Sequence, residues 1–281
     1  MAHEKMIRFF DNNNLPIVGE NDTVLPNTYF NLLILPANTE TVISMDRYEI
    51  LLVVLSGTCD ITADDELFSE VGQRKDIWSG NADSVYAGTA GQIRIKSKNT
   101  DAELAIAGCL CNKSFRPFRI TPEEVDMVDV GSNETKSRRR IFHILGQKAR
   151  GRTGNLLVSE LLADEGCWSG YPPHKHDTEN PPEETEFEEL YHYRFSPESG
   201  FGAQFCYLEK GDPKCYMTRN GDTFAFRKGF HPTVTSPGHR SYIFTVLVGI
   251  HQPSLIQNFD KQHRHLMDNI PGISDMVSKF K

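Results

Sequence analysis

Glycine and proline interrupt this chain so regularly that apolar residues never accumulate into a long helical period. Short runs rich in β-branched and aromatic residues recur between turns instead, the pattern of an all-β sandwich or barrel. In the first half, residues 48–55 meet the turn Ser56-Gly57 and return as residues 58–62, which reads as a hairpin, and further strands are expected at 92–96 and 103–107. Residues 115–120 lead into Thr121-Pro122-Glu123-Glu124, where a threonine cap, a proline at the first helical position and acids in the first turn predict a short connecting helix. The polar segment 131–140 reads as a linker or exposed turn between halves. Strands then recur at 140–145, 155–160, 200–207, 223–226 and around Phe244. The chain therefore reads as two similar β-domains, residues 1–135 and 136–281, with a tail from Asn258 that is helical only in pieces and covers the second domain irregularly.

At 281 residues the chain is long enough for two well-buried cores. Its net charge of -8 argues against a general nucleic-acid or anionic-membrane surface, which leaves a small molecule as the expected partner. The longest apolar stretch, near residues 242–249, fits a buried strand rather than a membrane span. The start, Met1-Ala2-His3-Glu4-Lys5, has no signal-peptide core, and a cytoplasmic location is expected. Six cysteines lack any CxxC spacing and read as reduced thiols, with Cys109 and Cys111 expected as a buried strand pair.

Chemistry concentrates in Tyr171-Pro172-Pro173-His174-Lys175-His176-Asp177. The proline pair sets an extended entry, and strand alternation then sends both imidazoles to one face, where together they can grip a metal. A lone histidine on an apolar face is ordinarily a packed residue; the pair changes that reading. Asp177, Glu179, Glu183, Glu184, Glu186, Glu188 and Glu189 all follow closely, and most must face solvent. Asn180-Pro181-Pro182 cannot continue a ladder, so 177–185 is a loop over the barrel mouth. On the strand starting near Phe187, Glu189, Tyr191 and Tyr193 share one face, and Glu188, Leu190 and His192 the other. The first face is the more useful interior, with one carboxylate and two phenols. Gly221-Asp222 looks like a hairpin turn, and Lys228-Gly229 allows a tight bend that delivers His231 ahead of Pro232.

At these residues, and at Pro181-Pro182-Glu183-Glu184-Thr185, Glu188–Tyr193, Gly200-Phe201-Gly202 and Gly229-Phe230-His231-Pro232, the sequence resembles the bicupin sugar isomerases, specifically the 5-deoxy-glucuronate isomerase family of inositol catabolism. The resemblance is carried mainly by residues 160–232 and is architectural over the first half, whose cupin-like domain has no histidine cluster. It implies two tandem double-stranded β-helix (jelly-roll) barrels, with His174, His176, Glu189 and His231 as metal ligands in the second. It also implies a divalent cation, zinc first and manganese, iron or nickel as alternatives, and an aldose–ketose interconversion of a deoxyuronate. Tyr191, Tyr193 and Glu184 are the candidates for the acid–base group, and Lys175, Arg194 and Arg227 for binding the anionic sugar; a homo-oligomer is expected. The chain departs from the family pattern at Phe205, where arginine is expected, Thr245 (asparagine), Arg227 (proline) and Phe142-His143 (His-Asn). Competing readings are a cupin dioxygenase using the same ligand set, a non-enzymatic sugar-binding bicupin, and the related 5-keto-4-deoxyuronate isomerase, whose histidine loop lacks the Pro-Pro-Glu-Glu insertion.

Overall fold

The computed structural model describes residues 2–280. Its strands form two jelly-roll barrels in tandem, as expected, each made of a larger and a smaller antiparallel sheet. In the first barrel, Phe118–Ile120, Asp83–Gly88, Tyr48–Ser56, Ala102–Leu110 and Thr28–Leu35 form a five-stranded sheet in that order. Glu40–Ile43, Ile93–Ser97, Cys59–Ala63 and Glu66–Val71 form the facing four-stranded sheet. The second barrel pairs a seven-stranded sheet with the four strands Trp168–Ser169, Thr233–Thr235, Phe201–Cys206 and Lys214–Arg219. The seven run in the order Glu4–Ile7, Thr223–Phe226, Phe187–Ser196, Arg240–Gly249, Leu156–Ala163, Arg139–Leu145 and Asp126–Val130.

The large sheets of the two barrels pack back to back, and this explains the sequence of their central strands. Tyr48–Ser56 is buried almost throughout rather than alternating. Its Ile50, Leu52 and Val54 point into the first barrel, while Leu51, Val53 and Leu55 join Leu190, Ala225, Phe244, Val246 and Val248 of the second. A strand covered on both faces has no solvent side on which to place polar residues. Ile93–Ser97 on the outer sheet alternates strictly between buried and exposed, because only one of its faces is covered.

Several expectations are corrected. Residues 48–56 and 59–63 do not form a hairpin, since they belong to opposite sheets and the chain turns the barrel corner between them. Gly57 makes that corner at φ +79°, where a Cβ would lie 2.2 Å from the Asp101 carbonyl oxygen. Gly221-Asp222 likewise joins strands of different sheets. Segment 131–138 is no interdomain linker: it closes a hairpin in which Val130 pairs with Arg139 and Asp126 with His143, inside the second barrel's sheet. The first strand, Glu4–Ile7, also crosses over to pair with Thr223–Phe226. Sequence order at 135/136 thus differs from the division of the sheets, because unpaired edges of the second barrel recruit residues 4–7 and 126–130.

The short helix after Thr121 is a 3-10 turn, Pro122–Glu124, in which the Glu124 carboxylate accepts the Thr121 N–H at 2.8 Å. The tail holds the strand Asn258–Phe259, a 3-10 segment Lys261–Leu266 and the helix Ile273–Phe280. Its Ile270, Ile273 and Met276 pack on Val128, Val130 and Ile141. All six cysteines are free; Cys109 is buried, whereas Cys111 lies just past the strand and is half-buried.

Candidate metal centre

Alternation along adjacent strands of the second barrel builds one cavity. Glu189 and Tyr191, then Ile243, Thr245 and Leu247, then Ser159 and Leu161, then Arg139 and Ile141 face it, each set spaced by two along its strand. His174 and His176 enter from the short strand His174–Lys175, which pairs with Asn258–Phe259 and is followed directly by His176. Lys175, between them, points away and is bonded to Asp177 at 2.7 Å and Glu184 at 2.8 Å. Gly229 supplies the bend for His231 at φ +91°, where a side chain would press its Cβ to 2.7 Å from the Tyr207 carbonyl oxygen. The Gly229 N–H donates to the Asp177 carboxylate at 2.9 Å, which ties this bend to the histidine loop.

Each imidazole presents Nδ1 to a backbone carbonyl: His174 to Pro172 at 3.1 Å, His176 to Phe187 at 3.4 Å and His231 to Gly229 at 2.9 Å. With Nδ1 carrying the proton, the Nε2 of His174 and of His231 is left as a lone-pair donor, the arrangement that orients metal-binding histidines. His176 Nε2 lies 2.8 Å and His231 Nε2 3.4 Å from the same Glu189 oxygen. The ligand atoms of these three residues all fall within 4.8 Å of one another, and all three residues are buried. His231 Nε2 is buried with no hydrogen-bond partner. Two imidazole nitrogens converging on one carboxylate, with the His231 nitrogen unsatisfied, fit a divalent cation.

His174 belongs to the same ring cluster, its centroid 4.9 Å from that of His231 and 6.3 Å from that of His176. Its Nε2 is engaged by the Gln257 side-chain amide at 2.9 Å, so it stands outside the three-residue group. Burial above all, then the charge of His176, lowers the His174 pKa to about 3, and burial first holds His231 well below the ordinary imidazole range. Burial also pushes His176 down, but the hydrogen bond and charge of Glu189 outweigh it and raise the pKa. Two imidazoles are thus kept neutral, as metal ligation requires.

The remaining predicted residues separate. Tyr191 lines the cavity; burial first, then the Glu189 charge, keeps its phenol protonated well beyond the usual range. Tyr193 lies deeper, donating to Gln204 Oε1 at 2.5 Å, while Gln204 Nε2 donates to the His231 carbonyl at 2.9 Å. That pair holds the His231 backbone.

Glu184 is away from the cavity. Its carboxylate accepts from the Asp177 and Thr178 N–H groups at 2.6 and 3.1 Å, from Lys175 and from Asn258 Nδ2 at 2.9 Å. All its acceptor capacity knots the loop. Arg194 projects toward the first barrel, donating to Glu103 at 2.5 Å and to His192 Nε2 at 3.0 Å. Arg227 follows Phe226, whose ring packs 4.4 Å from His231, so alternation turns Arg227 to the opposite face, where its charge acts on Glu188. None of the three predicted cations, Lys175, Arg194 or Arg227, lines the cavity.

The cation that does is Arg139, within a segment that reads as polar linker; its alternation with Ile141 is the signal that marks it as inward-facing. Gln257 comes from just ahead of the tail and carries no such local signal. Of the positions that depart from the family pattern, Thr245 lines the cavity, while Phe205 stacks on Trp168 with centroids 5.4 Å apart.

Known proteins resemble this chain in sequence and in fold. The model of the KduI/IolB family matches residues 7–266. A 5-deoxy-glucuronate isomerase of Geobacillus kaustophilus is 34% identical over 205 residues, covering 72% of this chain and 72% of the relative. Its counterpart in Geobacillus thermodenitrificans is 33% identical over 227 residues, covering 79% of each. Among solved structures, an IolB-like protein from Salmonella typhimurium superposes with a TM-score of 0.80 at 28% identity, covering 85% of this chain and 90% of that one. Bacillus subtilis oxalate decarboxylase, at 12% identity and a TM-score of 0.58 over 84% of this chain and 73% of its own, shares the fold.

Proposed function

The chain belongs to the KduI/IolB family, and on that premise we propose that it is a metal-dependent sugar isomerase converting 5-deoxy-D-glucuronate to 5-dehydro-2-deoxy-D-gluconate in inositol catabolism. The observation that carries the reading is the buried convergence of His176, Glu189 and His231 within 4.8 Å, beside a cavity lined by His174, His176, Glu189 and Tyr191.

His176, Glu189 and His231 would hold the cation, and His174, whose Nε2 now meets the Gln257 amide, would be the fourth ligand. Imidazole and carboxylate donors suit zinc first, and also manganese, iron or nickel. When bound, such a cation supplies Lewis acidity toward the sugar's carbonyl and the adjacent hydroxyl.

The protein's own groups do the rest. Tyr191 is the acid–base group: burial beside Glu189, which keeps its phenol protonated, supports its giving a proton to the C1 carbonyl oxygen and recovering one from the C2 hydroxyl as hydrogen shifts from C2 to C1. Tyr193 and Gln204 position His231, and Lys175 with Glu184 fixes the loop that carries His174 and His176. Ile141, Leu161, Ile243, Leu247 and Leu255 wall the cavity against water. The substrate is a small sugar acid, the working location is the cytoplasm, and the working form is a homo-oligomer. No helix among the described residues is long and apolar enough to cross a membrane.

Elemental analysis of the purified chain, followed by an NMR assay of 5-deoxy-D-glucuronate, tests this reading. The expected result is about one divalent ion per chain and conversion of aldose to ketose that stops when the ion is chelated. Metal-loaded protein that binds the acid without converting it would make the chain a sugar-binding bicupin, and oxygen consumption would make it a dioxygenase.

A further inference from the structure

Arg139 is 1% exposed and lines the metal cavity. Its guanidinium donates to the carbonyl oxygens of Ser137 at 2.9 Å and Tyr171 at 2.6 Å, and one N–H faces the Met276 sulfur at 3.9 Å. Those acceptors are all neutral. Among the described residues no carboxylate forms an ion pair with it, and burial lowers its pKa to about 10. The other buried arginine, Arg74, is matched by Glu160. Lys175 is neutralised by Asp177 and Glu184, and Arg194 by Glu103. Removing a cation from water costs several kcal/mol unless a partner compensates, and two carbonyls compensate only in part. The Arg139 charge reaches both His174 and Tyr191. A second unsatisfied group opens on the same cavity: Ser169 Oγ is buried without a hydrogen-bond partner.

We propose that Arg139 receives the substrate's carboxylate, so that the anionic end of the sugar lies against the guanidinium and the carbonyl end faces the histidine–glutamate cluster. This rests on the reading of the site as a deoxyuronate isomerase. A planar guanidinium binds a carboxylate through parallel N–H bonds, which fixes direction as well as charge. In 5-deoxy-D-glucuronate the aldehyde and the carboxylate are at opposite ends of the carbon chain. One buried cation lining the same cavity therefore determines which end of the molecule meets the metal. Ser169 Oγ and Thr245, which line the same cavity, are left to meet the sugar hydroxyls. Arg139 is a substrate-orienting group and takes no proton.

The test uses the full metal-loaded chain with Arg139→Met and Arg139→Lys. Turnover is measured on 5-deoxy-D-glucuronate and on its neutral counterpart 5-deoxy-D-glucose, and binding on D-glucuronate and D-glucose by calorimetry. The expected result for Arg139→Met is a roughly 10- to 100-fold loss of preference for the acid over the neutral sugar, the size of one charge-assisted contact. The loss should appear in KM more than in kcat, with metal content as in the parent protein. Arg139→Lys, which keeps the charge without the fork, should lose less; if the methionine variant does not fold, the lysine variant decides. Equal losses on acid and neutral sugars, or loss of metal, would make Arg139 a structural clamp for Ser137 and Tyr171 and overturn the proposal. Arg139-dependent binding of D-glucuronate without any isomerisation would uphold the carboxylate site while sinking the isomerase reading.

Discussion

His231 shows how a single side chain can be poised for a ligand. Its Nδ1 is held by the Gly229 carbonyl, its Nε2 has no hydrogen-bond partner, and Gln204 steadies its backbone. His231→Ala should remove most bound metal, an effect larger than the roughly 10- to 100-fold loss that follows removal of an outer-shell partner; full metal occupancy by elemental analysis would contradict the assignment. The two candidate acid–base residues make a contrasting pair. Tyr191→Phe removes the only cavity-lining phenol among the predicted residues and should lower kcat by about 10²-fold or more at unchanged metal content. Glu184→Gln should leave kcat within about tenfold of the parent and instead cost about 1–3 kcal/mol of stability in urea unfolding, because Lys175 and two backbone N–H groups lose a charged acceptor. A 10²-fold drop in kcat for the glutamine variant would return Glu184 to the chemistry. Local spacing marks His174, His176 and His231, whereas separating Glu184 from Tyr191 requires knowing what each touches.

Strand Phe187–Ser196 serves two environments at once. Glu189 and Tyr191 face the cavity, while Glu188, His192 and Arg194 face the first barrel. His192 is buried, beside Thr223 Oγ1 at 3.0 Å on Nδ1, and accepts from Arg194 Nε on Nε2. Burial, then the Arg194 charge, keeps it neutral, with its pKa well below the ordinary 6.5. Below pH 6.5 the unfolded chain binds a proton there that the folded chain refuses, so stability falls as the solution is acidified through that value. One such group contributes a slope of up to about 1.4 kcal/mol per pH unit. Urea unfolding between pH 7.5 and 5.5 should show that His192→Asn loses about one proton's worth of this slope; identical slopes in the two proteins would contradict the account. The same element shows what alternation conveys. It separates 189, 191 and 193 from 188, 190 and 192, but it does not say that the second face is another interior.

At the scale of the whole molecule, the barrels are joined by a common core and by three buried carboxylates. Glu49 of the first barrel accepts the N–H groups of Gly154, Asn155 and Leu156 and the Tyr86 hydroxyl. Glu160 of the second is paired with Arg74 and Tyr242, and Glu188 accepts from Asn27 and Thr28. Strands Glu4–Ile7 and Asp126–Val130 complete the second barrel's sheet from outside residues 136–281. The full chain should therefore unfold in one cooperative step, and a fragment of residues 136–281 should fail to fold, having lost two strands and the cover over Leu190, Phe244 and Val246. Calorimetry resolving two separate transitions, or a folded metal-binding fragment, would count against this. Arg74→Met should cost about 3–5 kcal/mol by leaving Glu160 buried and unpaired.

By itself the sequence determined the all-β class, the tandem barrels and the histidine segment, because turn residues, strand period and His-x-His spacing are written within windows of a few residues. The tertiary structure alone decided which sheet each strand joins, that segment 131–138 is a hairpin turn of the second barrel, and that Arg139 rather than Lys175, Arg194 or Arg227 lines the metal cavity. Those outcomes depend on partners far apart in the chain, such as Glu49 with Asn155 and Arg74 with Glu160, separated by 106 and 86 positions. A residue's own neighbourhood sets the direction in which its side chain points, and only distant packing sets what waits there.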